Sequence, residues 1–508
     1  FPEYSDQQAT TRPEDLMTEE AAERAEVDDE AVQELDAMVK RKWIKKFASK
    51  FKAKQYVRGR IVLSKLLVIA KERKTSDGKG GVIKKIKRRL LLNLKRSGVT
   101  DAAVKTERPE LPRVLDIIFS NLEMLRKRKH REHRLRHLVL DFSNAFFNFP
   151  TRADERKYFA ARVRQHVYIW HRAVQGSRGA PLICGRALAL AMRMACAVLP
   201  ENAMTAATYV DDPLCTFLGE SGEVEEYMAK FVGCLLAMGY ELAFPKAQDS
   251  EVTSTLVWTS ANITILHGED AVRVEVKEDI LIELRAGIDA MLDSSQIPVD
   301  DLRSLAGRAV CVSGLIYTWR PFVAMLWAPL YDSRSRCKFD HSKIWAKAIE
   351  VPLLWMRAFL QGARGTLQRV YTLSAYLGEG DDVQIVGDAS PTGIGAFLRI
   401  NGAIKEFAFD FLTSIDEEVL QVKRGGSDGQ QVWEALVLLA AIRLWSSVWQ
   451  QRRCTLLVRS DSVSALVMVT KMKTSGVGTS IIAREMALDM GDRFSLRLGR
   501  KHLPGTDN

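Results

Sequence analysis

Cysteine is scarce in this chain, and what there is does not pair. The seven residues, Cys184, Cys196, Cys215, Cys234, Cys311, Cys337 and Cys454, contain no CxxC and follow no regular spacing. That excludes a disulfide framework and a zinc module. Scattered thiols survive best in a reducing compartment, so an intracellular protein of the cytoplasm or nucleus is expected. No window approaches the roughly 18 uninterrupted apolar residues of a membrane helix. Residues 1–40 hold no apolar run of the signal-peptide kind, and the first residue is Phe1, so a piece of a longer protein is expected. P-loop, GxGxxG and zinc-knuckle patterns are missing, as are protease and integrase motifs. There is no internal repeat.

What is present is length and a very uneven charge. A chain of 508 residues, 47% hydrophobic, can bury several cores and suggests roughly three or four domains. Residues 1–40 carry thirteen acidic and three basic side chains, for a net charge of −10, and are expected to be disordered. Residues 41–136 carry thirty-one Lys/Arg against eight Asp/Glu, a net charge of +23. A solvated face or a localisation signal explains a short basic run, but a block of this length fits a polyanion, and nucleic acid is the favoured partner. Within it, HREHRLRH (His130, His133, His137) has metal-like spacing but no cysteine, and reads as phosphate-facing surface.

The coarse pattern alternates between periods. Residues 57–94 hold two apolar stretches around Ser76-Asp77-Gly78-Lys79-Gly80-Gly81, a β-hairpin with a basic tip. Leu115, Ile118, Leu122 and Leu125 predict a helix after Pro112. His137 to Leu140 predict a strand ending at Asp141. Residues 182–199 predict an apolar helix, and AATYVDDPLCTFLG a strand, a carboxylate pair and a second strand. Residues 279–333 are expected to be helical, interrupted by Pro298 and Pro321. Two later apolar strands each run into a carboxylate, with the helix QQVWEALVLLAAIRLWSSVW between them, which is an α/β layout.

The carboxylates carry the chemistry. Nucleotidyl transfer uses two divalent cations roughly 3.5–4 Å apart to clamp the attacking and leaving oxygens. Mg²⁺ prefers hard oxygen ligands, so acids must be brought to one point. Asp141 closes a strand, and Asp211 and Asp212 sit at a tight turn after Tyr209-Val210. Adjacent acids in apolar surroundings repel each other unless a cation lies between them. An acidic turn alone is common. Three ordered motifs are not, and here the sequence resembles the reverse transcriptases of retroelements (retrotransposon pol type). Tyr209-Val210-Asp211-Asp212 matches the Y-x-D-D motif. Asp141 with Ala145 and Phe146 matches the motif of the other catalytic Asp. Gln175 to Pro181 matches the Q-G-x-x-x-S/A-P motif between them.

The resemblance implies that Asp141, Asp211 and Asp212 are catalytic and hold Mg²⁺ or Mn²⁺, two ions per active site. It implies nucleotide-binding roles for Arg89, Phe146, Gln175, Gly176 and Tyr209, and makes Lys246 the proton donor to departing pyrophosphate. The Phe146 ring would exclude a 2′-hydroxyl, although a Phe without context is ordinarily core. Lys84, Lys85 and Lys87 could add to the grip of Arg89 on the triphosphate, or be solvated charges. LVWTSANI near Trp258 resembles the primer-grip hairpin, and the segment following Asp301 resembles a thumb. There, Arg303, Arg308 and Arg320 could track the nucleic-acid backbone or sit on the wet face of a helical core. Asn93, Lys95 and Ser177 depart from the family's usual residues.

A second set, Asp388, Glu434 and Asp461, resembles the first three acids of a retroelement RNase H domain, where two metals aim a water at an RNA phosphodiester. Taken singly, each acid is more often a cap or a surface residue. The ending HLPGTDN, with His502, Gly505 and Asn508, resembles that family's last catalytic loop, and implies a fourth carboxylate beyond Asn508 and a C-terminally truncated domain. The expected fold is therefore multidomain, α+β and α/β: a right-hand polymerase followed by a ribonuclease H-like domain. Expected boundaries are an acidic disordered segment and basic linker at 1–55, fingers and palm at 56–275, thumb at 276–335, connection at 336–380 and the RNase H-like domain at 381–508. Expected partners are an RNA or DNA template, a DNA primer, dNTPs and RNA–DNA hybrid, with no membrane. The competing reading is a domesticated, catalytically weak scaffold that binds nucleic acid, but such a protein has no need of its metal carboxylates.

Overall fold

The computed structural model describes residues 27–76, 82–104, 107, 110–337, 340–363, 365–450, 454–474, 476–493 and 498–502. The chain divides into two compact units, one of residues 1–112, 138–217 and 222–247, the other of residues 113–137, 218–221 and 248–508. No helix among the described residues is long and apolar enough to cross a membrane.

The first unit opens with a correction. From Asp29 the acidic segment is folded: helix Asp29–Lys40 is capped by the Asp28 side chain on the Ala31 amide and buries Ala31, Leu35 and Met38. Composition hid this, because an apolar stripe at helical spacing runs through the acids. Strand Ile44–Phe47 and helix Lys50–Val57 follow. The expected hairpin is present as Lys65–Ser76 paired with Val82–Asn93, and its tip lies outside the described residues. A three-stranded sheet sets Ile44–Phe47 and Ala160–Val163 on either side of His166–Trp170.

Helix Ala180–Cys196 begins with Pro181 in its first turn, where a missing amide costs nothing. It packs with helix Ser221–Ala237 on the sheet containing Met204–Tyr209 and Asp212–Gly219, around Cys184, Leu188, Phe217, Phe231 and Leu235. Gly239, at φ +86°, follows the end of the second helix.

The second unit contains helices Val114–Arg126, Glu278–Leu292, Val299–Leu315, Arg320–Tyr331 and Glu350–Leu360. Trp319, Phe322, Trp355 and Phe359 interlock within it, with Phe322 stacked on Trp355 at 3.7 Å. Pro298 and Pro321 fall at helix starts, as predicted. His137 corrects the reading of HREHRLRH as surface: it is fully buried, 2.7 Å from the Asn121 amide, and burial pushes its pKa down to about 3. It lies on strand Arg134–Val139, where alternation turns it inward.

The last part of this unit is a five-stranded sheet in the order Ala403–Phe411, Gly393–Ile400, Asp381–Ala389, Cys454–Ser460, Leu498–His502. The first three strands are antiparallel and the last two parallel to Asp381–Ala389 and Cys454–Ser460 respectively. Helix Gln430–Leu444 covers one face with Trp433, Leu438 and Ile442 buried against Ile385 and Val458. Gly387 sits beneath it, where a Cβ would come 3.0 Å from Leu438. On the other face the strand Ala403–Phe411 leaves Phe407, Phe409 and Phe411 exposed.

Candidate active sites

In the first unit the two-residue turn between Tyr209 and Asp212 is held by their strand pairing. Val210 takes φ 60°, which for a β-branched residue costs roughly 1–3 kcal/mol and puts Asp211 at the apex. Helix Ala180–Cys196 comes close at Gly185, where a Cβ would lie 3.9 Å from the Val210 Cα. Asp141 follows its strand, with its carbonyl accepting from the Ala243 amide at 2.8 Å. That link brings Lys246, on the short turn Phe244–Lys246, into an ion pair with the Asp141 carboxylate.

Burial, then the negative charge of Asp141, raises the pKa of Asp211, while Arg89 and Lys246 act the other way. Asp141, Asp211, Arg89 and Lys246 therefore share one electrostatic neighbourhood. Gly176, at φ +95°, sits 3.6 Å from the Leu92 carbonyl by its Cβ direction, which sets Gln175-Gly176 beside the strand bearing Arg89. Phe146, on the turn Ala145–Asn148, is half-buried against the same core as Phe142 and Leu188. Tyr209 is exposed. Asp212 opens its strand, where side chains alternate between faces.

One expectation changes here. The three acids do not converge to within 4.8 Å as a group; Lys246 occupies Asp141 instead. Arg88, the neighbour of Arg89, is bound to Asp28 at 2.9 Å and to Glu30. The side chains of Lys84, Lys85 and Lys87 lie outside the described ones.

The second unit builds its acids more tightly. Among the described residues, Asp388, Glu434 and Asp461 are the group whose ligand atoms all lie within 4.8 Å of one another. The parallel register pairs Val386 with Arg459, so continuing it sets Asp388 level with Asp461. Glu434 rises from the covering helix, almost fully buried. It accepts from the Ala389 amide at 3.2 Å, from Gln430 Nε2 at 3.0 Å and from Ser460 Oγ at 3.2 Å. Burial, with the charges of Asp461 and Asp388, raises its pKa to about 7 against the pull of Gln430 and Ser460. Burial and Asp461 also raise Asp388. Gln430 and Ser460 were not anticipated as holders of Glu434; the signal was available, because Gln430 stands four residues before it on one helix face. His502 ends strand Leu498–His502, and its side chain, with Gly505 and Asn508, lies outside the described ones. Among the arginines expected on the thumb, Arg303 pairs with Asp300 and Arg308 with Glu283, while Arg320 donates to the Ser313 and Lys471 carbonyls.

Residues 82–264 match the family described as reverse transcriptase (RNA-dependent DNA polymerase). The chain contains a reverse transcriptase domain. The matched segment holds Arg89, Asp141, Phe146, Gln175, Gly176, Tyr209, Asp211, Asp212 and Lys246, and leaves out the five-stranded sheet. No curated protein matches the chain in sequence. Three solved structures of foamy viral protease-reverse transcriptase are similar at low identity. One, a form designated dRH in complex with double-stranded DNA, is 16% identical with a TM-score of 0.48 over 98% of this chain and 74% of that one. One in complex with RNA/DNA hybrid is 13% identical, TM-score 0.46, over 100% and 58%. One in complex with double-stranded DNA is 13% identical, TM-score 0.43, over 99% and 88%.

Proposed function

We propose that this reverse transcriptase domain is an active retroelement RNA-directed DNA polymerase, with RNase H cleavage of RNA in RNA–DNA hybrids assigned to the second acidic site. The observation that carries the polymerase reading is the Tyr209–Asp212 turn inside the matched segment, with Asp141, Arg89 and Lys246 in its electrostatic reach. Burial and the charge of Asp141 raise Asp211, and a divalent cation would offset both, so the residues fit one. Asp141 and Asp211 would hold the cations and Asp212 would complete the site. Bound there, Mg²⁺ or Mn²⁺ supplies charge neutralisation and activation of the primer 3′-oxygen. Lys246 then gives up Asp141 and is placed to protonate the departing pyrophosphate. Arg89 takes a phosphate oxygen, Gln175 and Gly176 position the incoming dNTP, and Phe146 shuts out a 2′-hydroxyl. Purified protein extending a DNA primer on RNA tests this. No incorporation under any Mg²⁺ or Mn²⁺ concentration, with binding intact, would favour the catalytically weak scaffold.

The cleavage reading rests on three acids within 4.8 Å. Such a cluster fits hard divalent cations, which would offset the burial and the neighbouring carboxylate charge that raise Glu434 and Asp388. Gln430 and Ser460 hold Glu434 in place, and Asp388 and Asp461 present oxygens from adjacent strand ends. His502 is assigned a supporting role by resemblance. Release of RNA from a labelled hybrid, compared with the Glu434→Gln variant, is the test. The template, primer, dNTPs and hybrid are proposed partners on the same reading. The domain boundaries at 275, 335 and 380 are likewise proposals.

A further inference from the structure

The segment 40–60 precedes the residues matched to the reverse transcriptase family and contains ten Lys/Arg with no Asp or Glu. It folds against strand His166–Trp170, with Ile44 opposite Trp170 and Lys46 opposite Tyr168. That register brings the segment to the residue following the strand, His171, whose amide donates to the Trp43 carbonyl at 2.8 Å.

Around His171 three cations collect. The Tyr56 hydroxyl lies 3.2 Å from His171 Nε2, and Arg156 donates to that hydroxyl at 3.4 Å. The Lys45 ammonium sits 4.1 Å from the centre of the Tyr56 ring. Arg172 is next in sequence and joins Arg156 and Lys45 in acting on the imidazole. Burial first, then these three charges, pushes His171 down to about 4, so the ring is neutral at physiological pH and adds no further repulsion. Among the described residues no carboxylate pairs with Lys45, Arg156 or Arg172; the nearby Asp154 is taken by Arg152 at 2.8 Å.

Gathering like charges without a counter-ion is unfavourable, and an anion removes the cost. Two guanidinium forks and an ammonium suit phosphate oxygens, and a hydroxyl with a neutral imidazole supplies hydrogen bonds without charge. We propose that Lys45, Tyr56, Arg156, His171 and Arg172 bind the backbone phosphate of the nucleic-acid strand that this polymerase copies or extends. A strand fits better than a free phosphate, because exposed Lys52, Arg58 and Arg60 continue the positive surface along and after helix Lys50–Val57. The identity of the partner rests on the polymerase reading; the binding itself does not need turnover.

The test is fluorescence anisotropy of labelled primer–template and of single-stranded RNA, in EDTA and without dNTP, across a salt series. Each phosphate contact contributes about −0.9 to the log–log slope on duplex DNA and about −0.7 on single strands. The Arg156→Gln/Arg172→Gln double variant is expected to flatten the slope by about one to two such contacts and weaken binding several-fold at low salt. Arg156→Lys should keep the slope, and millimolar inorganic phosphate or triphosphate should not compete. Should the double variant melt early, Lys45→Gln, on an exposed strand position, is expected to flatten the slope by about one contact. An unchanged slope in the folded variants overturns the proposal. So does competition by triphosphate, which would make this a nucleotide site. Failure of the polymerase reading would look different: a steep slope that these variants still flatten, with no extension by the unmodified protein.

Discussion

Asp141 and Asp211 in the first unit have cations of the chain's own around them, Lys246 and Arg89. Glu434 in the second is acted on by two acids and two neutral hydrogen-bond donors. Both clusters set carboxylates at the ends of strands, and both face the same difficulty of like charges in a place water only partly reaches. In one, a lysine of the chain itself pairs with Asp141. In the other, burial and then the charges of Asp461 and Asp388 raise the pKa of Glu434. The same residue types therefore make one site in which a lysine pairs with one of the acids, and another whose three acids lie within 4.8 Å of one another.

Removing the charge at the shared position of each cluster separates them most sharply. Asp211→Asn is expected to reduce primer extension by roughly 10³-fold or more while leaving hybrid cleavage untouched, and Glu434→Gln to do the reverse. Parallel gel assays on RNA-templated extension and hybrid cleavage read both, and loss of both activities in either variant would mean the two sites are not independent.

Lys246→Met removes the lysine paired with Asp141 from the first site. Extension at saturating Mg²⁺ should fall by about 10²-fold if Lys246 delivers the proton, and the Mg²⁺ concentration giving half-maximal rate should drop because Asp141 is no longer occupied. A rate loss with unchanged Mg²⁺ dependence would leave the lysine as a proton donor alone.

Phe146→Val probes the sugar pocket beside Asp141. The ratio of rNTP to dNTP incorporation is expected to rise by about 10- to 100-fold, measured by single-nucleotide kinetics. A constant ratio would make Phe146 simply part of the core it touches.

The smallest effect is on stability, and it belongs to the second site. Glu434 is raised from 4.5 to about 7, so the folded protein holds its proton more tightly than the unfolded chain. Stability from this group is full below about pH 4.5 and falls as pH rises toward 7. Glu434→Gln should therefore stabilise the metal-free protein at pH 8, by about 1–3 kcal/mol, and have little effect at pH 4.5. Mg²⁺ should raise the Tm of the unmodified protein at pH 8 and that of the variant less. Thermal melts with and without EDTA at the two pH values decide it.

Local pattern carried much of the fold. The hairpin at 65–93, the helices starting at Pro298 and beside Pro321, the turn after Tyr209 and the strands running into Asp388 and Asp461 all follow from period and punctuation. The strand Ala403–Phe411, with its exposed aromatic ladder, was not anticipated, because its apolar side faces outward and mimics neither a core strand nor a loop. Helix Asp29–Lys40 was masked by its acids, although Ala31, Leu35 and Met38 repeat at the right interval.

The acids themselves, their order and their spacing were determined by the sequence, because metal chemistry needs carboxylates and the motifs that present them are short and local. Their partners were decided only by tertiary structure. Lys246 reaches Asp141 across more than a hundred residues, Ser460 and Gln430 enclose Glu434 from two elements, and Arg88 is withdrawn to Asp28 and Glu30. Periodicity reports which face of an element is apolar, not which distant side chain lies opposite. Charge pairing is settled by long-range packing, and so within the basic block Arg88, paired with Asp28 and Glu30, could be told from Lys45, gathered with Arg156 and Arg172 around His171, only once the fold had brought the neighbours together.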